Sequence, residues 1–413
     1  MLRGAVIVGG AEAAVAAAFA LRDAGYGGPV TMVAQEAALP YERPPLSKQV
    51  LDGSALRPIR PEADYGAADI ALLCGRTVTR LWPDRREVEL SDGGRLAHDQ
   101  LLLATGAEPR PLSTPGAERG PVHYLRDAAD ARALRSVIGP GTRLAIVGGG
   151  LIGLEVAAAA AGKGALVTVI EAASRLLGRA VPDALATRLA AAHRDAGVRI
   201  LTDCALAEIG WHDRRAELRC AGDVVVEADV VVAAIGVVPR TRLAATAGLA
   251  LDNGIATDAE LVTSVEGIYA ASDCCSFPHP LFGDRRLRLE NWQSAQELGR
   301  LAAVNMTGAG QAAEHVPWMW SDQFDLGLQI AGLPDLGAST VTRRDGTATL
   351  LFHLDAAGRL VGASGLGHGA PVARDIRIAQ RLIGRQAAPD PTYLADPKAP
   401  LKALLSRLPA PAD

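Results

Sequence analysis

The clearest pattern near the start of the chain is a short apolar run that ends in glycine and leads into an alanine-rich stretch. Residues 5–9 (AVIVG) predict a buried strand, residues 12–24 predict a helix, and residues 30–33 (VTMV) predict a second strand. A strand, a glycine turn, a helix and another strand within about 30 residues form a β-α-β unit. Such a unit is a candidate dinucleotide site.

The same plan returns later, without repeating the sequence. Residues 143–148 (RLAIVG) predict a strand, residues 148–153 a glycine-rich turn, residues 154–162 a helix and residues 167–171 (VTVIE) the next strand. Two further apolar runs, at 101–106 and 230–236, also end at glycine, as buried parallel strands do. The chain therefore contains two candidate dinucleotide units.

The last hundred residues follow a different pattern. Residues 326–333 alternate apolar and polar positions, and segments 347–354 and 360–365 flank a turn at 355–358, which predicts a hairpin. A helix is predicted for residues 370–382. We therefore predict an α/β protein with two Rossmann-like dinucleotide-binding domains and a C-terminal α+β domain.

Length, charge and cysteine content narrow the class. The chain has 413 residues, a formal net charge of −4 and 21% charged residues, so two or three soluble domains are expected and a nucleic-acid binder is not. The apolar stretch 144–161 contains Glu155 and three consecutive glycines, so no membrane span is predicted. Five cysteines without a C-x-x-C pair predict no metal site, and reduced thiols in the cytoplasm.

The second glycine turn has the residues of a dinucleotide fingerprint. Gly148 permits the tight turn, Gly150 lets the backbone approach a pyrophosphate, and Gly153 lets the helix pack closely on the strand. Glu171 ends the next strand, where a carboxylate hydrogen-bonds a ribose diol and repels a 2′-phosphate. This turn predicts a site that prefers NADH to NADPH.

The first turn departs from that pattern. Gly9 is retained, Ala14 is a tolerated variant of the third glycine, but Ala11 has a Cβ where a pyrophosphate comes close. Gln35, followed by Glu36, stands where the ribose-binding acid is usual. These residues alone leave two interpretations open: a nucleotide site or an ordinary α/β core.

A family resemblance rests on motifs in a fixed order. They are PYERPPLSK (40–48), ATG (104–106), YLR (124–126), GGGLIGLE (148–155), GVVP (236–239), Asp273, ENW (290–292) and PWMWSDQ (317–323). In these motifs the chain resembles the FAD-dependent ferredoxin reductases of Rieske-type dioxygenase and cytochrome P450 systems. The resemblance covers essentially the whole chain and implies a glutathione-reductase-like FAD/NAD fold.

The resemblance also implies domain limits and site residues. It implies a FAD-binding domain at 1–111 and 238–315, a NAD-binding domain at 112–237 and a C-terminal domain at 316–413. It implies a FAD site made of Gly9, Ala11, Ala14, Gln35, Glu36, Arg43, Lys48, Val78, Ala104, Thr105, Gly106, Arg126, Asp273, Glu290, Asn291, Trp292 and Trp320. It implies an NADH site made of Gly148, Gly150, Leu151, Ile152, Gly153, Glu155, Glu171, Ile235 and Gly236.

Three of these residues are implied to take part in catalysis. Lys48 would reach the flavin ring, Glu155 would face the nicotinamide carboxamide, and Trp320 would lie by the isoalloxazine where electrons leave. Their structural alternatives are a surface lysine, a paired structural acid and a packing anchor. Asp273 could equally cap a helix, and Ser272 replaces a glycine usual in the family.

The implied reaction passes a hydride from NADH to FAD and then single electrons to a [2Fe–2S] ferredoxin. Thiol chemistry is not expected, because segment 44–48 contains no cysteine. A basic docking patch is predicted from Arg285, Arg286, Arg288, Arg343 and Arg344, on a monomer or a homodimer.

Alternative functions on the same scaffold are a rubredoxin reductase or an NADH oxidase like apoptosis-inducing factor. A binding protein that has lost tight FAD binding is a third, because Ala11, Gln35 and Ser272 all fall in the predicted FAD site.

Overall fold

The computed structural model describes residues 3–178, 181–213, 215–346 and 348–406. The chain divides into two compact units. The first unit is Met1–Arg43, Leu56–Glu108 and Val238–Pro317, and the second is Pro44–Ala55, Pro109–Val237 and Trp318–Asp413. The division into three domains, with the limits given above, stays a prediction.

The helices are, in chain order, α1 (Glu12–Asp23), α2 (Glu62–Ala67), α3 (Ala128–Val137), α4 (Leu151–Gly162), α5 (Asp183–Asp195), α6 (Arg242–Thr246), α7 (Trp292–Met306), α8 (Ala370–Gly384), α9 (Pro391–Ala395) and α10 (Lys402–Ser406). Short 3₁₀ helices at Pro44–Ser47 and Ser272–Cys274 also matter below. None of the helices in the described residues combines the length and hydropathy needed to span a bilayer.

The strands are, in chain order, β1 (Gly4–Val8), β2 (Val30–Ala34), β3 (Ile70–Cys74), β4 (Val78–Trp82), β5 (Glu87–Leu90), β6 (Arg95–Leu103), β7 (Ala107–Pro109), β8 (Val122–His123), β9 (Arg143–Val147), β10 (Leu166–Ile170), β11 (Arg199–Leu201), β12 (Leu206–His212), β13 (Arg215–Cys220), β14 (Val224–Ala228), β15 (Val230–Ala233), β16 (Val237–Pro239), β17 (Ile255–Ala256), β18 (Ile268–Ala270), β19 (Cys275–His279), β20 (Arg285–Leu287), β21 (Trp318–Gln323), β22 (Leu326–Gly332), β23 (Ser339–Asp345), β24 (Ala348–Leu354) and β25 (Leu360–Gly367).

The first unit is built on a sheet in the order β3-β2-β1-β6-β5-β4, with β18 also paired to β6. Strands β1, β2, β3, β6 and β18 run parallel, whereas β4 and β5 form an antiparallel extension. The chain leaves β1 toward β2 on one side, and β6 lies on the other. The carboxyl end of β1 is thus a topological switch point, where open α/β sheets bind ligands.

Helix α1 packs closely against α7 because small residues face each other. A Cβ at Gly299 of α7 would lie 2.3 Å from the carbonyl oxygen of Ala13 in α1. Ala295 and Ala302 on α7, and Ala17 on α1, are also buried. The alanine-rich composition of residues 12–24 is therefore the condition for this contact, and it fixes α7 beside the first glycine turn.

The second unit contains a parallel sheet in the order β11-β10-β9-β15-β8. An antiparallel sheet, β12-β13-β14, lies in the same unit. The core around the parallel sheet combines Leu144 and Ile146 of β9, Leu154 of α4 and Leu189 of α5, all at most 1% exposed. The predicted β-α-β unit is confirmed, but α4 begins at Leu151, three residues earlier than expected, because its N-cap is Gly150.

The C-terminal part of the second unit is an antiparallel sheet in the order β21-β22-β25-β24-β23, covered by α8. The predicted hairpin joins β24 and β25 through a turn in which the Gly358 N–H donates to the carbonyl oxygen of Asp355. Residue 347, in the predicted first strand of that hairpin, lies outside the described residues. The predicted α/β class with an added α+β part is confirmed.

Candidate functional site

The second glycine turn separates glycines that the fold needs from one that it does not. Gly148 has φ +109°, and a Cβ there would lie 2.4 Å from the carbonyl oxygen of Ala234. A Cβ at Gly153 would lie 2.3 Å from the carbonyl oxygen of Gly148. A Cβ at Gly150 would meet no heavy atom within 4 Å. Packing therefore explains Gly148 and Gly153, whereas open space beside Gly150 suits the close approach of a ligand.

Glu171 is held beside this turn by backbone groups. Its Oε2 accepts from the Gly149 N–H at 2.7 Å, and its Oε1 accepts from the Ala173 N–H at 2.8 Å. The carboxylate is half-buried and fixed in direction, as recognition of a ribose diol requires. Ile152, in the first turn of α4, is 48% exposed, and Gly236 lies in the loop after β15 with φ +98°.

The N-termini of α1 and α4 have no side-chain cap. Asp127 caps α3 with a full capping box, and the Asn291 side chain accepts from the Ser294 N–H at the start of α7. The N-termini of α2, α5, α6 and α8 also lack a side-chain cap. The first N–H groups of a helix need acceptors, and a phosphate supplies them at a positive helix end. What distinguishes α1 and α4 is the glycine turn before each of them, at the carboxyl end of a parallel strand, and these two helix ends are therefore the candidate anion-binding ends.

The first glycine turn, residues 9–14, leaves less open space for a dinucleotide than the second glycine turn does. A Cβ at Gly9 would lie 2.4 Å from the carbonyl oxygen of Ala104, so β1 and the Ala104–Thr105–Gly106 segment after β6 approach closely. Ala11 is the N-cap of α1, in extended backbone, and Ala14 is 1% exposed. The Ala11 Cβ thus stands at the position that is open at Gly150.

Glu12 is a residue that the sequence analysis did not assign to the site. It lies in the first turn of α1 and is 8% exposed. Trp292 Nε1 donates to its Oε2 at 2.9 Å, and Gln296 Nε2 donates to its Oε1. Burial raises the pKa of Glu12, partly offset by these two donors. The sequence signal for Glu12 is an acid directly before an apolar run, residues 13–21.

The end of β2 is organised by two arginines. Arg240 Nη1 donates to Gln35 Oε1 at 3.2 Å. Glu36 accepts from the Tyr41 hydroxyl at 2.5 Å and from Arg43 Nη2 at 2.7 Å. The Arg43 guanidinium therefore braces this turn through Glu36.

Lys48, Glu155 and Trp320, the three residues with implied catalytic roles, lie close together within the second unit, whereas their roles stay predictions. The Lys48 Nζ lies 3.3 Å from Glu155 Oε1, 3.4 Å from Asp322 Oδ2 and 5.7 Å from the centre of the Trp320 ring. Trp320 stacks on Trp318 with ring centres 5.0 Å apart. Lys48 is therefore not an isolated cation, because two carboxylates share its charge.

Glu155 is 7% exposed and accepts three donors. Besides Lys48, the Ser321 hydroxyl donates to Oε1 at 2.6 Å and the Ser47 hydroxyl donates to Oε2. The structural alternative, a paired acid, and the functional one are both compatible with this geometry.

The remaining predicted FAD residues lie as follows. Asp273 is in a 3₁₀ helix after Ser272, whose φ of +78° is the left-handed conformation that glycine prefers. Glu290 pairs with Arg288 just before α7, and Val78 is buried in β4. Arg126 belongs to the second unit and directly precedes the α3 cap.

Cys274 and Cys275 are fully buried free thiols, and burial raises the pKa of each. Raised pKa values disfavour the thiolate that redox chemistry requires. Among the described residues no group of three or more His, Cys, Asp or Glu could hold a metal ion.

The predicted basic patch is wrong for Arg343 and Arg288. Arg343 is 5% exposed and donates to the carbonyl oxygens of Pro397 and Ala399, so it ties β23 to the segment after α9. The Arg288 side chain is 12% exposed and pairs with Glu290. Buried guanidinium groups with internal acceptors cannot present charge to a partner.

Comparison with known proteins gives consistent matches. The model of the pyridine nucleotide-disulphide oxidoreductase family matches residues 4–299, and the reductase C-terminal model matches residues 318–405. The chain is 41% identical to the ferredoxin–NAD(+) reductase component of the anthranilate 1,2-dioxygenase system of Burkholderia cepacia, covering 97% of this chain and 98% of that one. It is 39% identical to the reductase component of the p-cumate 2,3-dioxygenase system of Pseudomonas putida, covering 96% and 97%.

Two solved structures are also similar. The ferredoxin reductase for the CYP199A2 system from Rhodopseudomonas palustris aligns with a TM-score of 0.92 at 31% identity, over 97% of this chain and 99% of that one. Putidaredoxin reductase, in its covalent complex with putidaredoxin, aligns with a TM-score of 0.91 at 33% identity, over 98% of both chains.

Proposed function

The chain belongs to the pyridine nucleotide-disulphide oxidoreductase family, and from this we propose that it oxidises NADH and reduces a ferredoxin by way of FAD. Per NADH, two molecules of oxidised ferredoxin are reduced, and NAD⁺ and one proton are released. The observation that carries the proposal is that one chain holds two β-α-β units, each with a glycine turn between the end of its first strand and the start of its helix.

FAD is the ligand of the first glycine turn, residues 9–14. The bound flavin supplies the chemistry that accepts a hydride and releases electrons singly. The residues present fit it in one respect and restrict it in another: the α1 N-terminus offers N–H groups, whereas the Ala11 Cβ narrows the approach to them. Gln35 offers an amide to the adenosine end, with its oxygen already bonded to Arg240.

NADH is the ligand of the second glycine turn, residues 148–153. Glu171 would accept from the adenosine ribose diol through oxygen lone pairs not used by the Gly149 and Ala173 N–H groups. Its negative charge would disfavour a 2′-phosphate at the same place. Gly150 would leave room for the pyrophosphate.

We assign roles near the nicotinamide and the flavin to Glu155, Lys48 and Trp320. Glu155 would accept from the nicotinamide carboxamide, which is a hydrogen-bond donor. Lys48 would present a positive charge to the flavin ring, and the ion pairs with Asp322 and Glu155 would partly neutralise that charge. Trp320 would lie on the path by which electrons leave.

The electron acceptor is a ferredoxin rather than a thiol. Segment 44–48 contains no cysteine, and the adjacent pair Cys274–Cys275 is buried. Five free cysteines also support a location in the reducing cytoplasm.

The purified chain tests the proposal directly. We expect it to copurify with flavin, to be bleached anaerobically by NADH faster than by NADPH, and to reduce cytochrome c only when a [2Fe–2S] ferredoxin is added. Rubredoxin and oxygen, as alternative acceptors, test the rival functions. A colourless protein that takes up no added FAD would contradict the proposal.

A further inference from the structure

Strand β21 buries two polar side chains beside Glu155. Ser321 is 0% exposed and Gln323 is 1% exposed. Alternation along the strand places both on the face opposite Trp318 and Trp320. Buried polar groups cost stability unless they are hydrogen-bonded, so their partners indicate why they are there.

The partners form one continuous chain of hydrogen bonds across α5, β21 and α4. His193 Nε2 lies 2.9 Å from Gln323 Oε1, Gln323 Nε2 lies 3.1 Å from Ser321 Oγ, and Ser321 Oγ lies 2.6 Å from Glu155 Oε1. We call this the Glu155 chain. At its far end His193 is 0% exposed, with the edge of the Phe324 ring against it.

The carboxylate fixes the direction of every bond in the Glu155 chain. Ionised Glu155 only accepts, so the Ser321 hydroxyl must donate to it. The Ser321 oxygen is then left to accept from the Gln323 amide N–H, which turns the amide oxygen toward His193. His193 must therefore carry its proton on Nε2.

The surroundings of His193 agree with that arrangement. Its Nδ1 has no hydrogen-bond partner among the described residues, and burial lowers the pKa of the ring. A neutral imidazole with its proton on Nε2 is the form that leaves Nδ1 without a proton to donate.

We propose that Ser321 and Gln323 are positioning residues that hold the Glu155 carboxylate, and through it the Lys48 ammonium, in one orientation for the nicotinamide. This role rests on the proposed function. Because His193 is enclosed, the Glu155 chain orders dipoles and does not lead protons to solvent. A carboxylate held by Ser321, Ser47 and Lys48 has little freedom to rotate when a substrate amide arrives.

Nitrogen-15 NMR of the full chain, labelled at its eight histidines, tests the direction of the bonds. His193→Gln identifies the His193 signals. We expect the wild-type ring to be neutral with the proton on Nε2, and Glu155→Gln to shift the His193 signals. In a Gln323→Met background the same Glu155→Gln change should leave them unmoved. A proton on Nδ1, or an equal shift in both backgrounds, would overturn the ordered chain.

Kinetics test the positioning role. Ser321→Ala should slow anaerobic flavin reduction by NADH, or raise the KM for NADH, by about tenfold or more, the usual effect of losing a hydrogen bond to a charged group. Gln323→Met loses a bond to the neutral Ser321 hydroxyl, so its effect should be about two- to tenfold. Ser321→Thr keeps the hydroxyl and should recover most of the loss. The matched control is Ser364→Ala, because Ser364 is equally buried in the same sheet and bonded to His353 Nε2.

The possible failures are distinguishable. A protein that is reduced by NADH, but in which Ser321→Ala behaves as Ser364→Ala does, overturns the positioning role alone. A protein that binds no flavin overturns the proposed function and the positioning role together, even if the His193 signals show the expected proton on Nε2.

Discussion

The indole N–H of Trp292, at the start of α7, donates to the carboxylate of Glu12, at the start of α1, across 2.9 Å. Gln296 donates to the other oxygen of the same carboxylate. The first turns of the two helices are thereby joined at the end where α1 would receive the FAD pyrophosphate. A buried acid at this position makes the first unit sensitive to pH.

Glu12→Gln should remove that sensitivity. Because burial raises the pKa of Glu12 above its ordinary value of 4.5, the folded state binds a proton at a pH where the unfolded state does not. The free energy of unfolding of the wild type should therefore fall, relative to Glu12→Gln, as pH rises from 4.5 through the pKa of folded Glu12. Denaturant unfolding across this range measures it; parallel pH curves for the two proteins would contradict it.

Ser272→Gly should be more stable than Ser272→Ala. Ser272 has φ +78° and is buried, and a left-handed conformation costs a residue with a Cβ about 1–2 kcal/mol. Glycine removes this cost but gains freedom in the unfolded chain, and both variants lose the hydroxyl bond to Asp273. We therefore expect the free energy of unfolding of Ser272→Gly to exceed that of Ser272→Ala by about 0.5–1 kcal/mol. Thermal unfolding measures it.

Ser272→Ala is the control, because it loses the same hydroxyl and keeps the strain. It should be no more stable than the wild type. Equal effects of glycine and alanine would show that the conformation of residue 272 carries no cost.

Gly299→Ala should destabilise the first unit. The added Cβ would lie 2.3 Å from the Ala13 carbonyl oxygen, so α7 must move away from α1. Overpacking of this kind costs about 1–3 kcal/mol. Gly162→Ala, in α4, is the matched control: its Cβ meets nothing within 4 Å, so this variant should be stabilised or unchanged. The denaturant midpoint should fall for Gly299→Ala and should hold or rise for Gly162→Ala.

Much of this architecture could be predicted because its signals are local. The strand, turn and helix of residues 143–162 follow from periodicity and glycine spacing, and Glu171 follows from its place after the next strand. Ordered motifs singled out Lys48, Glu155 and Trp320 one by one, but their mutual contacts, at 3.3 Å and 5.7 Å from the Lys48 Nζ, are seen only in the structure.

What could not be predicted depends on contacts between distant parts of the chain. In the sequence Glu12 is an acid directly before an apolar run. Its hydrogen-bond donor Trp292 lies 280 positions away, in α7, so the sequence does not show the pairing. In the sequence Arg343 is one of several arginines expected at the surface. In the structure the segment after α9 buries it and accepts its hydrogen bonds through carbonyl oxygens. Hydrophobic pattern reports which face is inside, but not which buried polar atoms meet there.

Glu171→Gln should weaken the preference for NADH. The amide oxygen of glutamine can still accept from one backbone N–H, so the turn should keep its shape. The negative charge that disfavours a 2′-phosphate is lost. We expect the ratio of kcat/KM for NADH to that for NADPH to fall by about tenfold, which corresponds to about 1.4 kcal/mol. An unchanged ratio would remove Glu171 from cofactor selection.

Ala11 and Gly150 occupy the same position in the two glycine turns, so they permit a reciprocal test. Gly150→Ala adds a Cβ that meets no protein atom, so the melting temperature should hold or rise while the KM for NADH increases. Ala11→Gly removes the Cβ from the first turn, where α1 has no side-chain cap, and should tighten FAD binding to the apoprotein.

The size of both effects is bounded by the cost of overpacking, about 1–3 kcal/mol, which corresponds to roughly five- to 150-fold in affinity. FAD titration of the apoprotein, followed by flavin fluorescence, measures the first-turn effect independently of turnover. If Ala11→Gly left FAD affinity unchanged while Gly150→Ala impaired NADH binding, the two turns would not bind their ligands in the same way. The loop that carries Ala11 would then lie farther from the pyrophosphate than the loop that carries Gly150.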